Sequence, residues 1–193
     1  YELEQFLKTF STIEGPKILI HGGGKGASKM LNQLGIEPKM VDGRRITDKE
    51  TLDVVTGLYA GNINKTIVSL LQKFKCNALG LSGVDGNAIQ GIKRPVKNID
   101  YGFVGDLNEN SINTELFQLL IDQGITPVVC AITHDGNGLL LNTNADTIAS
   151  TIAVALANKN EIELNFVFDK IGVLRDINDD STLISKINEN LYL

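Results

Sequence analysis

The nine residues Lys17-Ile18-Leu19-Ile20-His21-Gly22-Gly23-Gly24-Lys25 constrain the fold of this chain more than any other stretch. An apolar, partly β-branched run is the pattern of a short buried strand. Three glycines follow at once, and Ala27, Met30, Leu31 and Leu34 then recur at helical spacing. The segment predicts strand, glycine loop, helix. Glycines leave their N–H groups open to a ligand, and the helix that starts there adds the positive end of its dipole. Such a corner holds an anion, a phosphate or a carboxylate. A tight turn also calls for glycine, but one or two would serve. Neither common nucleotide signature fits: G-x-x-x-x-G-K-[ST] is absent, and the last glycine of Gly22-Gly23-Gly24-Lys25-Gly26-Ala27 falls one place early for G-x-G-x-x-G.

The alternation continues along the chain. Asn77 to Leu81, Pro127 to Ile132 and Leu164 to Phe168 read as further buried strands. Helical stripes run through Tyr1, Leu3, Phe6, Leu7 and Phe10, and from Thr114 to Gly124. A small-residue helix is expected from Asn144 to about Asn158. Thr47-Asp48-Lys49-Glu50 has capping-box spacing and starts a helix near Asp48, which Gly61-Asn62 interrupts or kinks. Ala88 to Ile92 and Tyr101 to Asp106 predict a β-hairpin outside the main sheet, and Asp135-Gly136-Asn137-Gly138 a hairpin turn. The tail from Arg175 is polar and then weakly helical. Apolar strands alternating with helices define an α/β chain with a parallel sheet covered on both faces. Polar or glycine residues follow the strands at Gly22, Ser82, Thr133 and Asp169, placing four candidate loops on the edge where open α/β sheets bind ligands.

Composition narrows the function. With 193 residues, 42% hydrophobic and 21% charged, the chain is an ordinary globular one. A formal charge of −5 argues against nucleic acid as a partner. No apolar run approaches the roughly 20 residues of a membrane span, nothing reads as a signal peptide, and a cytoplasmic protein without membrane partners is expected. Cys76 and Cys130 sit in apolar settings and read as buried free thiols, with no metal-ligand spacing and so no metal site. His21 reads as structural, and no Ser/His/Asp or Cys/His set is apparent. What remains is Asp85, Asp146, Asp169, Arg44, Arg45, Lys65 and Lys170 among glycine loops, which suits phosphoryl transfer, where the protein mainly positions groups and neutralises charge.

Five stretches in order resemble the amino acid kinase family, and within it the members that act on N-acetylglutamate. They are His21-Gly22-Gly23-Gly24, Asp42-Gly43-Arg44-Arg45-Ile46-Thr47, Gly61-Asn62-Ile63-Asn64-Lys65, Leu141-Asn142-Thr143-Asn144-Ala145-Asp146 and Asp169-Lys170-Ile171-Gly172-Val173-Leu174. Gly102-Phe103-Val104-Gly105 is similar to the family's hairpin region. The resemblance runs through almost all of the chain. It implies an open three-layer αβα sandwich with a mainly parallel central sheet. Residues 1–132 would form the lobe for the acylated amino acid, and 133–193 part of the nucleotide lobe. It implies transfer of the γ-phosphate of ATP, with Mg²⁺, to the side-chain carboxylate of N-acetylglutamate in arginine biosynthesis, by a homodimer.

Position by position, the resemblance has Gly23 and Gly24 cradle substrate with backbone N–H groups, Arg45 clamp the α-carboxylate and Asn142 bind the acylamino acid. Asp146 would orient catalytic lysines. Asp169, Lys170, Ile171, Gly172, Val173 and Leu174 would line the nucleotide. Each has a plainer reading: Arg45 as a surface arginine, Asn142 as part of a hairpin, Asp146 as a helix cap, Asp169 as a turn former, Lys65 as a helix-surface lysine. The family pattern also has a lysine-bearing first strand with paired glycines, and a late glycine loop with a second lysine. Neither has a counterpart from Tyr1 to Leu193, so these residues are expected to bind acylglutamate and to turn it over slowly. The other readings are a kinase of N-succinylglutamate or another acylated amino acid, and a non-catalytic metabolite-binding protein of the same fold.

Overall fold

The glycine corner folds as its pattern predicts: strand β1, Leu19–His21, runs through Gly22 and Gly23 into helix α2, Gly24–Gln33. The computed structural model describes residues 2–41, 44–168, 170–176 and 178–187. They fall into two units, Tyr1–Glu163 and Leu164–Leu193.

In the first unit, β1 pairs in parallel with β7, Thr126–Cys130, whose other side pairs in parallel with β4, Ala78–Leu81. Successive side chains of a strand point to opposite faces, and β7 serves both. Val128 packs with Leu7 and Phe10 of α1, Glu2–Ser11, and with Ile67 and Leu71 of α4, Asn64–Lys73. Val129 packs with Phe117 of α5, Thr114–Asp122, and Ile148 and Ile152 of α6, Ala145–Leu156. Helix, sheet, helix is the open αβα sandwich of the sequence reading. Both cysteines are buried free thiols.

The expected third strand divides at Ala131. Beyond it the chain joins a second sheet, with β8, Ile132–His134, antiparallel to β9, Leu140–Thr143, across the predicted 135–138 turn. On the far side of β9 lie β6, Val104–Asp106, in parallel, and then β5, Ile92–Lys93, antiparallel to β6. The hairpin expected outside the main sheet is therefore real but shorter. Most of Ala88–Ile92 follows a 3₁₀ turn, Asp85–Asn87, and makes only isolated bridges at Ile89 and Gln90. The paired β2, Met40–Val41, and β3, Arg44–Arg45, flank residues 42–43, which lie outside the described residues.

Helix α3, Lys49–Thr56, continues through a π-helix, Gly57–Ile63, into α4, so the interruption expected at Gly61-Asn62 is a widened turn within one rod. Its cap is Asp48, whose carboxylate accepts from Thr51 N–H at 2.9 Å. Thr47, the first residue of the expected box, is buried in a seam with the hairpin: its N–H donates to Tyr101 O, and its carbonyl accepts from Phe103 N. Two carbonyls of β4, the outer strand, are taken by side chains of α4: Gln72 Nε2 donates to Ala78 O at 3.0 Å and Lys65 Nζ to Gly80 O at 3.2 Å.

The fourth buried strand expected at Leu164–Phe168 is not formed. These residues are irregular, and Phe166, Val167 and Phe168 are about half exposed or more. An apolar run becomes a strand only where a neighbour completes its ladder, and no described strand includes these residues. The second unit is held instead by an antiparallel bridge between Leu174 and Leu183, with Ile184 N–H on Val173 O at 2.8 Å. No described helix is long and apolar enough to cross a membrane.

Candidate functional site

Gly23 stands at the N-cap of α2 and offers no side-chain cap to the N–H groups of the helix's first turn. Its φ of −124° is one any residue adopts; glycine is needed there for room, since a Cβ would fall 1.8 Å from a ring carbon of Tyr59. At Gly22 a Cβ would meet the Cβ of Ala145, the first residue of α6, at 3.6 Å. The N-termini of two helices, α2 and α6, thus meet at one corner, and both bring positive dipole ends to it.

Arg45, on β3, reaches the same corner. Its Nη2 donates to Ser28 Oγ of α2 at 2.9 Å, while its Nη1 is buried with no partner among the described residues. Tyr59 lies close enough that the guanidinium pulls its phenol pKa down, although burial wins and holds it above the ordinary 10. A guanidinium has five donors and no acceptor, so a buried nitrogen without a partner calls for an anion, most simply a carboxylate. Asn142, on β9, is tied to this group through Thr47: its Nδ2 donates to Thr47 Oγ1 at 3.0 Å, and that hydroxyl donates to Arg45 O at 3.2 Å. Asn142, Thr47, Arg45 and Ser28 therefore form one chain of hydrogen bonds from β9 to α2. Gly24 opens α2.

Asp146 is exposed in the first turn of α6, beside the residue that abuts Gly22. The cap of that helix is Asn144, whose side chain accepts from Thr147 N–H at 2.8 Å. Asp85 is absorbed by its own turn: its carboxylate accepts from both Ser82 N and Ser82 Oγ at 2.7 Å. Burial pushes the Cys130 thiol up to about 11, which removes it as a nucleophile. His21 is held neutral by burial, its pKa lowered from 6.5. Lys65 is exposed, as a helix-surface lysine would be, yet it is anchored on Gly80 O and Asn64 Oδ1. Of the expected nucleotide segment, Asp169 lies outside the described residues, and Lys170, Ile171, Gly172, Val173 and Leu174 belong to the second unit. No group of three or more His, Cys, Asp or Glu among the described residues stands ready to hold a metal ion.

Four residues of this site were given no part in it by sequence reasoning. Ser28, Thr47 and Tyr59 reach Arg45 or Gly23 only through tertiary packing. Asn64 did leave a signal, because it shares the buried face of α4 with Ile67 and Leu71, where a polar residue stands out.

A parallel sheet with an uncapped glycine corner, a second helix N-terminus and a half-buried arginine at its carboxyl edge defines an α/β protein built to bind a small anionic molecule. The sequence model of the amino acid kinase family matches residues 2–192, and the chain belongs to that family. It is 55% identical over 185 residues to the acetylglutamate kinase of Phocaeicola vulgatus, spanning 96% of this chain and 71% of that protein. The acetylglutamate kinase of Cytophaga hutchinsonii is 53% identical over 191 residues, 98% of this chain and 72% of that one. Among solved structures, the smu.665 protein of Streptococcus mutans UA159 shares the fold, with a TM-score of 0.68 at 23% identity over 80% of this chain and 61% of that one.

Proposed function

We propose that this protein phosphorylates N-acetylglutamate with ATP, in arginine biosynthesis. A side-chain carboxylate oxygen of the substrate bonds to the γ-phosphorus as the bond to the bridging oxygen breaks, giving an acyl phosphate and ADP. The observation that carries this reading is the buried, unpartnered Nη1 of Arg45 beside the glycine corner. A guanidinium nitrogen without a partner beside an anion-binding corner is met most simply by a carboxylate, and the relatives with more than half of the residues in common are named acetylglutamate kinases.

In this reading Arg45 takes the α-carboxylate, Asn142 the acylamino group, and the N–H groups of Gly23 and Gly24 hold the anionic end. Asp146 organises cationic groups around the moving phosphate, and 169–174 line the nucleotide. Residues 1–132 serve the acylamino acid, and 133–193 contribute to the nucleotide lobe. Mg²⁺ travels with the phosphates of ATP, to which it bridges readily. The active form is a cytoplasmic homodimer.

Release of ADP on mixing the protein with ATP, Mg²⁺ and N-acetylglutamate tests the activity, with N-succinylglutamate run beside it. Turnover with N-acetylglutamate at the higher kcat/KM is expected. Preference for the succinyl compound would reassign the substrate, and binding without ADP release from either would leave a metabolite-binding protein.

A further inference from the structure

Asn64, the first residue of α4, is 1% exposed and lies across all three strands of the parallel sheet. Its Nδ2 donates to Val128 O of β7 at 2.9 Å and lies 3.0 Å from His21 Nε2 at the end of β1. Over β4 it passes so close that a Cβ on Gly80 would come within 1.9 Å of its Oδ1. The orientation of the amide follows from its neighbours. A carbonyl at 2.9 Å demands the NH₂ end, and the Lys65 ammonium, 3.2 Å from the other end, demands the oxygen. An NH₂ group can only donate, so His21 Nε2 accepts and the ring proton sits on Nδ1.

That proton has one place to go: Nδ1 lies 3.1 Å from Gly22 O. In a trans peptide the carbonyl of Gly22 and the N–H of Gly23 point in opposite directions. Holding that carbonyl toward the ring therefore sets the direction of the Gly23 N–H, the donor at the mouth of the glycine corner. We propose that Asn64 is a positioning residue for substrate: through the Nδ1–H tautomer of His21 it fixes the Gly22–Gly23 peptide, and with it the N–H that holds the anionic end of acylglutamate. The sequence carries the two ends of this relay 43 residues apart, and the π-helix that precedes α4 brings them together. The inference rests on the reading of the glycine corner as the acylglutamate site.

The test combines ¹⁵N NMR of the two histidine rings with calorimetric titration of N-acetylglutamate into the intact protein. His134 supplies an internal contrast, because Gly136 N–H donates to its Nδ1 at 3.1 Å and so places its proton on Nε2. The wild-type spectrum should show one ring of each kind, with His21 protonated on Nδ1. In Asn64→Asp the carboxylate can only accept, and the His21 ring should gain a proton on Nε2. N-acetylglutamate should then bind about tenfold more weakly, the worth of one well-aligned hydrogen bond, with ATP affinity unchanged. A wild-type His21 protonated on Nε2 overturns the proposal without any variant. So does an Asn64→Asp protein whose ring switches while N-acetylglutamate affinity holds. Arg45→Ala in the same titration separates the two readings: unchanged affinity there removes acylglutamate from this site, whereas the ring states still decide whether the relay exists.

Discussion

Gly23 and Arg45 show how one position can be required for space and its neighbour for charge. Gly23→Ala forces a methyl group into the Tyr59 ring, and overpacking of this kind costs about 1–3 kcal/mol. Its melting temperature should fall and acylglutamate binding with it, and the loss on Gly23→Ala should be smaller in a Tyr59→Ser background than in the wild type. An equal loss in both backgrounds would mean that the Tyr59 ring is not what excludes a side chain. Arg45→Ala removes a charge-assisted hydrogen bond worth about 1.5–3 kcal/mol. We expect N-acetylglutamate binding to weaken about ten- to a hundred-fold in calorimetry while ATP binding holds; an unaltered Kd would take Arg45 out of the site. Arg45 and Asn142 were legible in the sequence because each stands in a short motif. Tyr59 and Ser28 were not: nothing local distinguishes an ordinary helix tyrosine from one whose ring fills the space above a glycine 36 residues away.

At the scale of elements, α6 separates capping from chemistry. Asn144 caps it and Asp146 stands two residues on, exposed. Asn144→Ala should lose about 1 kcal/mol of stability with kcat kept, as read from denaturant midpoints and steady-state rates. Asp146→Asn should do the reverse, lowering kcat far more than either binding affinity, because a charge acting on the transferring phosphate is felt in the transition state. A fully active Asp146→Asn protein would return that residue to a purely helical role. Pattern reading succeeded where an element is fixed by its own residues, as at the glycine corner, at α5 and at the 135–138 turn. It failed at Leu164–Phe168, because an apolar run specifies burial but not the strand that must lie beside it. Its division of Pro127–Ile132 was invisible for a related reason: Cys130, Ala131 and Ile132 are all buried, so nothing in their hydropathy marks the step from one sheet to the other.

For the molecule as a whole, the half-buried His21 links stability to pH. Its folded pKa lies below the ordinary 6.5, so below that value the unfolded chain binds the proton more readily than the folded one. The contribution is complete above about pH 6.5 and is lost as pH falls through it toward the lowered folded value. Urea midpoints should therefore drop between pH 7.5 and 5.5, and drop less in His21→Asn, which has no ring to titrate; equal slopes would place the pH dependence elsewhere. A single rod, α3 through the π-helix to α4, carries both Tyr59 toward the glycine corner and Asn64 beneath the sheet. The wide turn between them works as a phase shifter. Successive residues of an α-helix are about 100° apart around its axis, and the i→i+5 turn absorbs one residue more for nearly the same rotation, so rewinding residues 57–63 as regular α-helix, with none removed, would turn α4 by about that angle relative to α3. Asn64, Ile67 and Leu71 would then leave the sheet together, and a more regular helix would be a worse enzyme.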